Sequence, residues 1–366
     1  MYTDFRQITI DGISYTYDDV ICRDGHESRM QHLFREKFGD DSFYVSLADF
    51  IADWFSDNGQ LKVHTSGSTG RPKELWVDKE RMVNSARMTI DFLGLKSGDT
   101  ALLCMPLPYI AGKMVVVRSI VAGLNLLPVP PCGHPLKNLS VIPTFAAMIP
   151  MQVFNSLDDE TERERLKKIR HLIIGGGAID REIAEVLKTF PNKVWSTYGM
   201  TETLSHIALR PLSGKDASDW YTPFDNVCLS QSADNTLVVD APLVNPQLLE
   251  TNDIVEFNAE GKFHILGRRD NTINTGGVKV QIEQVEAQLR KELSSPFLIT
   301  SVPDSKFGEK IVLLTTSGNL SLVDAALYTL PPYWRPKEII VVGCIPLTGT
   351  DKPDRAKAKE LALNKK

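Results

Sequence analysis

The chain has 366 residues, of which 42% are hydrophobic and 24% charged, and its formal net charge is −5. The length allows about two or three domains, and the composition is that of an ordinary globular protein. The negative charge argues against nucleic acid as the main partner, because binding a phosphate backbone requires a basic face, and no apolar run is long enough for a membrane span.

The five cysteines are widely scattered and form neither a C-x-x-C pair nor a cluster with histidines. They therefore indicate no disulfide framework and no structural zinc site. The N-terminus lacks the basic stretch followed by an apolar one that is typical of a secretory signal. We expect a cytoplasmic protein.

Periodicity and turn residues predict the elements of the first 100 residues. They are a hairpin over 7–16, helices over 26–38 and 45–57, a short strand over 61–63, and an amphipathic helix over 78–93. Strands and helices then alternate. The strands are 101–105, 125–129, 171–174 and 194–197, and the helices are 111–123, 159–168 and 180–189. This alternation predicts a parallel α/β sheet whose loops bind a ligand at one edge.

From about residue 234 the sequence becomes rich in short β-strands, at 237–239, 254–257 and 262–265. The segment after Asp270 has its own set of predicted helices and strands. It has predicted helices at 282–293, 321–329 and 354–362, and predicted strands at 297–302, 310–316 and 338–342. We expect this last segment to form a separate small α+β domain.

The segment Thr65–Lys73 is the most informative part of the sequence, because its residues are nearly all small, hydroxylated, cationic or turn-forming. Glycine lets a backbone approach a ligand closely, and successive N–H groups in such a loop form a concavity that suits an anion. The segment is not a Walker A loop, since Arg71-Pro72 follows its last glycine. It predicts a polyphosphate site made by Thr65, Ser66, Gly67, Ser68, Thr69, Gly70 and Lys73.

Two further motifs come directly after predicted strands. Gly175-Gly176-Gly177 follows the strand at 171–174, and Tyr198-Gly199-Met200-Thr201-Glu202 follows the strand at 194–197. A strand-to-helix turn places backbone amides and side chains at the ligand edge of a parallel sheet. In such a turn a tyrosine can stack on a base, a threonine can bind phosphate, and a glutamate can hold Mg²⁺, which prefers oxygen ligands.

Polar motifs also mark the second half of the chain. Thr251-Asn252-Asp253 and Gly267-Arg268-Arg269-Asp270 offer a carboxylate and a guanidinium that can bind ribose or phosphate oxygens. The glycines of Ile273–Glu286 permit a close approach of the backbone. Near the C-terminus, Lys352 and Arg355 keep a K-x-x-R spacing.

In this order the motifs resemble those of the adenylate-forming superfamily, which includes acyl-CoA synthetases, peptide-synthetase adenylation domains and luciferases. The resemblance implies a large N-terminal AMP-binding domain over 1–268, with a mostly parallel sheet and a β-rich segment. It also implies a small mobile C-terminal α+β domain over 269–366. In two motifs the chain departs from the superfamily pattern: Asn252 and Asp351 each stand at a position where glycine is usual.

The resemblance also implies a role for each motif. The adenine side is formed by Gly176, Gly177, Tyr198 and Gly199. Phosphate and metal are held by Thr201 and Glu202, and ribose or phosphate oxygens by Asp253 and Arg268. Asp270 is the hinge between the domains, and Gly276, Gly277 and Lys279 line the path of the thiol acceptor. Lys352, Thr201 and Glu202 carry catalysis.

The implied activity is a two-step ligation that uses ATP, Mg²⁺ and coenzyme A. A substrate carboxylate is first adenylated, with Lys352 neutralising the charge that develops around the α-phosphate. The small domain then rotates, and a thiol attacks the acyl group. One alternative is another small acyl- or aryl-CoA ligase of the same superfamily. A second is a protein that binds nucleotide but has lost catalysis, and the retention of Lys352, Glu202 and Asp253 argues against it.

The acid pocket is predicted from two segments, Pro106–Lys113 and Met200–Ala208. A dicarboxylic substrate needs a polar anchor for its second carboxylate, whereas a fatty acid does not. The candidate anchors are Tyr109, Lys113, Ser205 and His206. His206 is four residues after Glu202 and would share its face if both lay on a helix; alternatively, His206 is a hydrogen-bonded core histidine. Tyr109 stands where one group of small CoA ligases within the superfamily commonly has the histidine of a P-L-x-H-x-x-G segment.

Overall fold

The computed structural model describes residues 2–22, 27–64, 74–347 and 353–364. Contacts between residues divide the chain into two units. The first contains the chain up to Cys228 together with Asp240–Leu248, and the second contains Leu229–Val239 and the chain from Leu249 onward. This division comes earlier than the predicted domain boundary at 268/269, because the second unit includes most of the β-rich segment. The position of the working hinge stays a prediction.

The first unit is built on a nine-stranded sheet in the order β11-β10-β9-β8-β7-β5-β6-β1-β2. Its strands are β1 (Gln7–Ile10), β2 (Ile13–Thr16), β5 (Thr100–Leu103), β6 (Asn125–Pro128), β7 (Phe145–Met148), β8 (His171–Ile174), β9 (Lys193–Gly199), β10 (His206–Pro211) and β11 (Thr222–Pro223). A separate antiparallel pair consists of β3 (Gln60–His64) and β4 (Glu74–Asp78). From β9 through β8, β7, β5 and β6 to β1, each neighbouring pair is parallel.

The helices of this unit are α1 (Tyr17–Val20), α2 (Arg29–Phe38), α3 (Phe43–Phe55), α4 (Lys79–Leu93), α5 (Ile110–Ala122), α6 (Pro150–Asp158), α7 (Glu160–Leu166) and α8 (Arg181–Lys188). Local sequence explains where several of them begin. Ser28 caps α2 by accepting a hydrogen bond from the Gln31 backbone N–H, and Asp180 caps α8 by accepting one from Glu182. In the described part of the chain, no helix combines the length and the apolar character that crossing a bilayer requires.

A continuous cluster of buried apolar side chains covers the parallel sheet. Residues on β5, β7 and β8 such as Leu102, Ala146 and Leu172 have no exposed surface and pack with side chains of α6, α7 and α8. A parallel sheet covered by helices reads as short continuous apolar runs, which is why the sequence predicted these strands. Within the parallel part of the sheet, the sequence does not predict β7, nor the helix α6 that follows it. Phe145-Ala-Ala-Met148 lacks β-branched residues, and α6 follows it with only one residue between.

The second unit contains two sheets. The first has the order β12-β13-β14-β15 and the second β17-β16-β19-β18, with β20 beside β19. The strands are β12 (Cys228–Gln231), β13 (Thr236–Asp240), β14 (Leu249–Phe257), β15 (Phe263–Arg268), β16 (Thr272–Thr275), β17 (Val278–Gln281), β18 (Phe297–Asp304), β19 (Gly308–Thr315) and β20 (Glu338–Val341), and the helices are α9 (Ile282–Leu289), α10 (Leu320–Leu327) and α11 (Arg355–Leu363). The predicted mixed α/β class, with a parallel-rich sheet and additional β-sheets, is confirmed.

Candidate active site

The phosphate-loop residues Thr65, Ser66, Gly67, Ser68, Thr69, Gly70 and Lys73 lie outside the described residues. The strands on either side of them are described. β3 and β4 pair in register up to His64 and Glu74, and the Lys62 ammonium lies 2.5 Å from the Glu74 carboxylate. The predicted strand before the loop is therefore present.

Three parallel strands of the large sheet end at the same edge. Met148 on β7 pairs with Ile174 on β8, which pairs with Ser196 on β9. The Gly175 N–H continues this edge by donating to the Met148 carbonyl at 3.1 Å. Because carboxyl ends of parallel strands meet at one edge, the structure brings the Gly176-Gly177 turn next to the Tyr198–Glu202 segment, as the sequence predicted.

The Tyr198–Glu202 segment differs from the predicted strand-to-helix turn. β9 ends at Gly199, Thr201–Thr203 makes one 3-10 turn, and His206 begins the antiparallel strand β10. Gly199 is needed for this return, since a Cβ there would lie 2.2 Å from the Ser205 carbonyl oxygen. The expectation that Glu202 and His206 share one face of a helix is therefore wrong.

Glu202 lies in the 3-10 turn with its side chain exposed, and its backbone carbonyl accepts a hydrogen bond from the Asn245 amide at 3.0 Å. The described residues contain no group of three or more His, Cys, Asp or Glu side chains placed to hold a metal ion. One exposed carboxylate suits Mg²⁺ nonetheless, because this ion usually binds proteins through one or two carboxylates and completes its shell with substrate phosphates and water.

His206 is buried, and both of its ring nitrogens have partners. Nε2 lies 3.0 Å from the Thr89 hydroxyl and Nδ1 lies 3.2 Å from the Ser205 hydroxyl. Burial, with a smaller effect of Arg118, holds the pKa of His206 well below its usual value. The ring is therefore a neutral hydrogen-bonding group, as in the alternative of a core histidine.

Arg118 is the functional candidate that the sequence interpretation missed. It lies on α5 with 2% of its surface exposed, and its Nη2 donates to the Ser205 hydroxyl at 2.6 Å. Its Nε has no hydrogen-bond partner, and among the described residues no carboxylate forms an ion pair with it. Burial lowers the pKa of Arg118 to about 9. The sequence signal that could have identified Arg118 is its position as a single cation directly after four apolar residues, Met114–Val117.

The other two predicted anchors lie at the start of α5. Tyr109 is the N-cap residue and is 36% exposed. The Lys113 ammonium donates to the Lys62 backbone carbonyl at 2.8 Å and lies 5.0 Å from the centre of the Phe50 ring, and burial lowers its pKa. These contacts hold Lys113 against β3 and α3. Its role in binding the acid stays a prediction.

In the second unit, Asp253 and Arg268 pair across β14 and β15, with Arg268 Nη1 3.1 Å from Asp253 Oδ1. Arg268 Nη2 lies 3.4 Å from Asp270 Oδ2. The Asn252 amide donates to the same oxygen at 3.1 Å. The structure therefore groups the three predicted residues of this region. Asn252, the departure from the superfamily pattern, is part of the same cluster.

Gly276 and Gly277 form the two-residue turn between β16 and β17, with φ of 58° and 81°. Positive φ at both central positions is the requirement of a type I′ hairpin, which glycine meets without strain. Lys279 is exposed on β17. Lys352 lies outside the described residues, as do the other residues of 348–352.

Comparison with known proteins gives consistent matches. The sequence model for AMP-binding enzymes matches residues 61–227. A probable 2-succinylbenzoate–CoA ligase of Mycobacterium tuberculosis is 28% identical over 334 residues, which cover 84% of this chain and 85% of that protein. The o-succinylbenzoate CoA synthetase of Bacillus subtilis has been solved with its acyl-adenylate intermediate, and it is 22% identical to this chain with a TM-score of 0.68. The match covers 81% of this chain and 68% of that protein, and at this identity it shows the fold alone.

A crystal structure provides a match of higher sequence identity than these two. The acyl-CoA synthetase (AMP-forming)/AMP-acid ligase II-like protein from Dyadobacter fermentans is 30% identical, with a TM-score of 0.62. The match covers 88% of this chain and 95% of that one. The chain thus belongs to the AMP-binding enzymes, in the family of AMP-forming acyl-CoA synthetases, which are acid–CoA ligases.

Proposed function

We propose that the chain is the 2-succinylbenzoate–CoA ligase of menaquinone synthesis. The relative from Mycobacterium tuberculosis carries that name as a probable activity, and a relative of 25% identity from Listeria monocytogenes, covering 89% of this chain, carries it outright. The observation on which the proposal depends is the buried Arg118.

An arginine without a carboxylate partner is costly in a protein interior, because a buried charge loses its hydration. A substrate carboxylate offsets this cost best when it binds the guanidinium through two parallel hydrogen bonds. 2-Succinylbenzoate has two carboxylates. The succinyl group is the one activated, so the aromatic carboxylate needs a cationic partner. We assign that partner as Arg118, with Ser205 beside it.

A hydrogen-bonded chain holds Arg118 in place. Because Ser205 Oγ accepts from Arg118, its own proton can be donated to His206 Nδ1. His206 then carries its proton on Nε2 and donates to Thr89, whose hydroxyl donates to the Ser85 carbonyl at 3.3 Å. In this proposal His206 orients Ser205 and Arg118, and it does not itself bind the acid.

The proposed reaction has two steps. A succinyl carboxylate oxygen bonds to the α-phosphorus of ATP and pyrophosphate leaves, with Lys352 and the loop Thr65–Lys73 compensating the negative charge. Glu202 would hold Mg²⁺, which neutralises phosphate charge when bound. The thiol of coenzyme A then loses its proton to solvent, its sulfur bonds to the acyl carbon, and the bond from that carbon to the AMP phosphate oxygen breaks. For this step we propose Gly276, Gly277 and Lys279 as the path of the thiol and Asp270 as the hinge.

The test compares two acids that differ by one carboxylate. Pyrophosphate release is measured with ATP, coenzyme A, and either 2-succinylbenzoate or its analogue lacking the aromatic acid. Arg118→Met should raise the KM for 2-succinylbenzoate strongly and leave the KM for ATP unchanged. Losing one partner of a buried charge pair costs about 2–5 kcal/mol, which is about 30-fold or more in binding.

The control is Arg87→Met on α4, whose guanidinium lies over the Phe5 ring and not at the site. It should behave like the parent. If Arg118→Met still distinguishes the two acids fully, the anchor lies elsewhere. If the parent prefers the analogue or a different acid of the panel, the chain is another acyl- or aryl-CoA ligase.

A further inference from the structure

The described residues on either side of 348–352, a segment that includes Lys352, have defined contacts in the second unit. Leu347 and Pro353 form an antiparallel β-bridge, and the Asp354 N–H donates to the Pro346 carbonyl at 2.9 Å. Asp354 also caps α11, because its side chain accepts from the Lys357 N–H at 2.9 Å. Lys352 is thus joined directly to a residue whose backbone position is defined.

The first residue of α11 anchors this base. Arg355 binds the Glu286 carboxylate through both ends of its guanidinium, with Nη1 2.7 Å from Oε1 and Nη2 2.9 Å from Oε2. Nη1 also donates to the Ile299 carbonyl at 3.0 Å. The pair therefore links α11 to α9 and to β18, three residues beyond Lys352 in the chain.

The Glu286 carboxylate is buried, with 5% of its side chain exposed, and it also accepts the Ile299 N–H at 2.9 Å. Such a two-pronged pair fixes direction as well as distance, because the planar guanidinium matches the carboxylate in one orientation. Arg290 reaches the same carboxylate only at 4.0 Å, from a side chain that is 44% exposed. The orientation of the loop base therefore depends on Arg355.

α11 has a second, independent attachment. Ala358 and Ala362 are buried in an apolar cluster with Leu298, Val312 and Ile340. These contacts secure the later turns of the helix without the ion pair. Loss of the pair should then loosen the first turn and the loop base while the second unit stays folded.

We propose that the Glu286–Arg355 pair positions Lys352 for the adenylation step. The proposal rests on the proposed function of Lys352 in that step. Arg355 and Glu286 are positioning residues, since they contact each other and Ile299, not the reacting atoms. Their loss should therefore lower the rate of acyl-adenylate formation and spare the transfer of a preformed acyl group to coenzyme A.

The variants are Arg355→Met and Glu286→Gln, with Arg290→Met as the matched control near the same carboxylate. ATP–pyrophosphate exchange with 2-succinylbenzoate measures the first step, and thioester formation from synthetic acyl-AMP measures the second. We expect an exchange rate lowered about 30-fold or more, a KM for ATP changed by less than about threefold, and a second step within about twofold of the parent. Arg290→Met should match the parent in both steps.

Two additional variants separate positioning from folding. Arg355→Lys keeps the charge without the fork and should recover part of the exchange rate. The double variant Arg355→Met/Glu286→Gln should be no slower than the slower single variant, because both remove one interaction. Equal losses in the two steps, or fully additive losses in the double variant, would overturn the proposal.

Hydrogen exchange of the peptide over residues 346–356 tests the pair independently of the acid substrate. Exchange should be faster in Arg355→Met and Glu286→Gln, and unchanged in Arg290→Met. Unchanged exchange in all three would refute the positioning role. If the parent enzyme has no activity on 2-succinylbenzoate while hydrogen exchange in the variants changes as expected, only the substrate assignment is refuted.

Discussion

At the scale of single residues, two histidines of the first unit are buried in the neutral form. His171 begins β8 with 6% of its surface exposed, and burial, followed by the nearby Lys193 and Arg170, lowers its pKa to about 4. His206 is shifted in the same direction. Protonation of either ring would place an uncompensated charge in the core, so both should make the fold sensitive to acid.

We predict that the free energy of unfolding falls as the pH drops from about 6.5 towards 4. The folded-state pKa of His171 lies below the unfolded one, so in this window the unfolded state binds more protons and is favoured. A shift from 6.5 to about 4 amounts to about 3 kcal/mol at most. His171→Leu should flatten this part of the pH profile, measured by urea unfolding.

The control for this experiment is His32→Asn, since the His32 side chain is 69% exposed. It should leave the slope as in the parent. A parent whose stability does not change between these pH values would contradict the neutral burial of His171.

At the scale of elements, Gly267 and Gly277 in the second half of the chain occupy positions that favour glycine for different physical reasons. Gly267 is closely packed, because a Cβ there would lie 2.6 Å from the Glu283 carboxylate and 2.8 Å from the Gln281 side-chain oxygen, and both side chains would have to move. Gly277 is needed for its φ of 81°, since among the described residues none beyond its two chain neighbours has an atom within 4 Å of the position of its Cβ. The sequence predicted a close approach of a ligand for Gly277, and the hairpin provides a structural reason beside it.

We predict that Gly277→Val destabilises the second unit by about 1–2 kcal/mol, the cost of a left-handed conformation for an ordinary residue. Gly277→Asn should cost much less, because asparagine tolerates that region. Chemical unfolding measures both. Gly277→Asn also isolates the proposed role in thioester formation: a slow second step at normal stability would support it, and a normal second step would place the thiol path elsewhere.

At the scale of the whole molecule, the two units have separate apolar cores. Leu172 is fully buried in the core of the first unit and Leu313 in that of the second. Domains with their own cores can unfold independently. The chain is therefore expected to unfold in two steps, and a core substitution in one unit should affect one step.

We predict that Leu172→Ala lowers the melting temperature of one calorimetric transition and Leu313→Ala that of the other. Each change removes a fully buried side chain and costs about 2–5 kcal/mol, which amounts to several degrees. A single transition that both variants shift alike would show that the units unfold as one.

The sequence alone determined the class of the fold and the chemistry of the ligand. Apolar runs alternating with helical periodicity predicted the parallel sheet, because such runs depend on residues close together in the chain. The motifs predicted nucleotide binding, since glycines, hydroxyls and carboxylates at those spacings suit phosphate and ribose. The same local patterns singled out Asp253, Arg268 and Asp270, and the pairing of adjacent strands in the structure groups them.

Tertiary structure alone decided the features that depend on residues far apart in the chain. The segment after Gly199 returns as an antiparallel strand because the backbone at Ser205 packs against the glycine, which no helical or strand periodicity specifies. Arg118 meets Ser205 across 87 positions, and Arg355 meets Glu286 across 69. Sequence shows that a cation is present. Only packing determines whether it is buried and which acceptor it meets, because desolvation and ion pairing depend on every element that surrounds the charge.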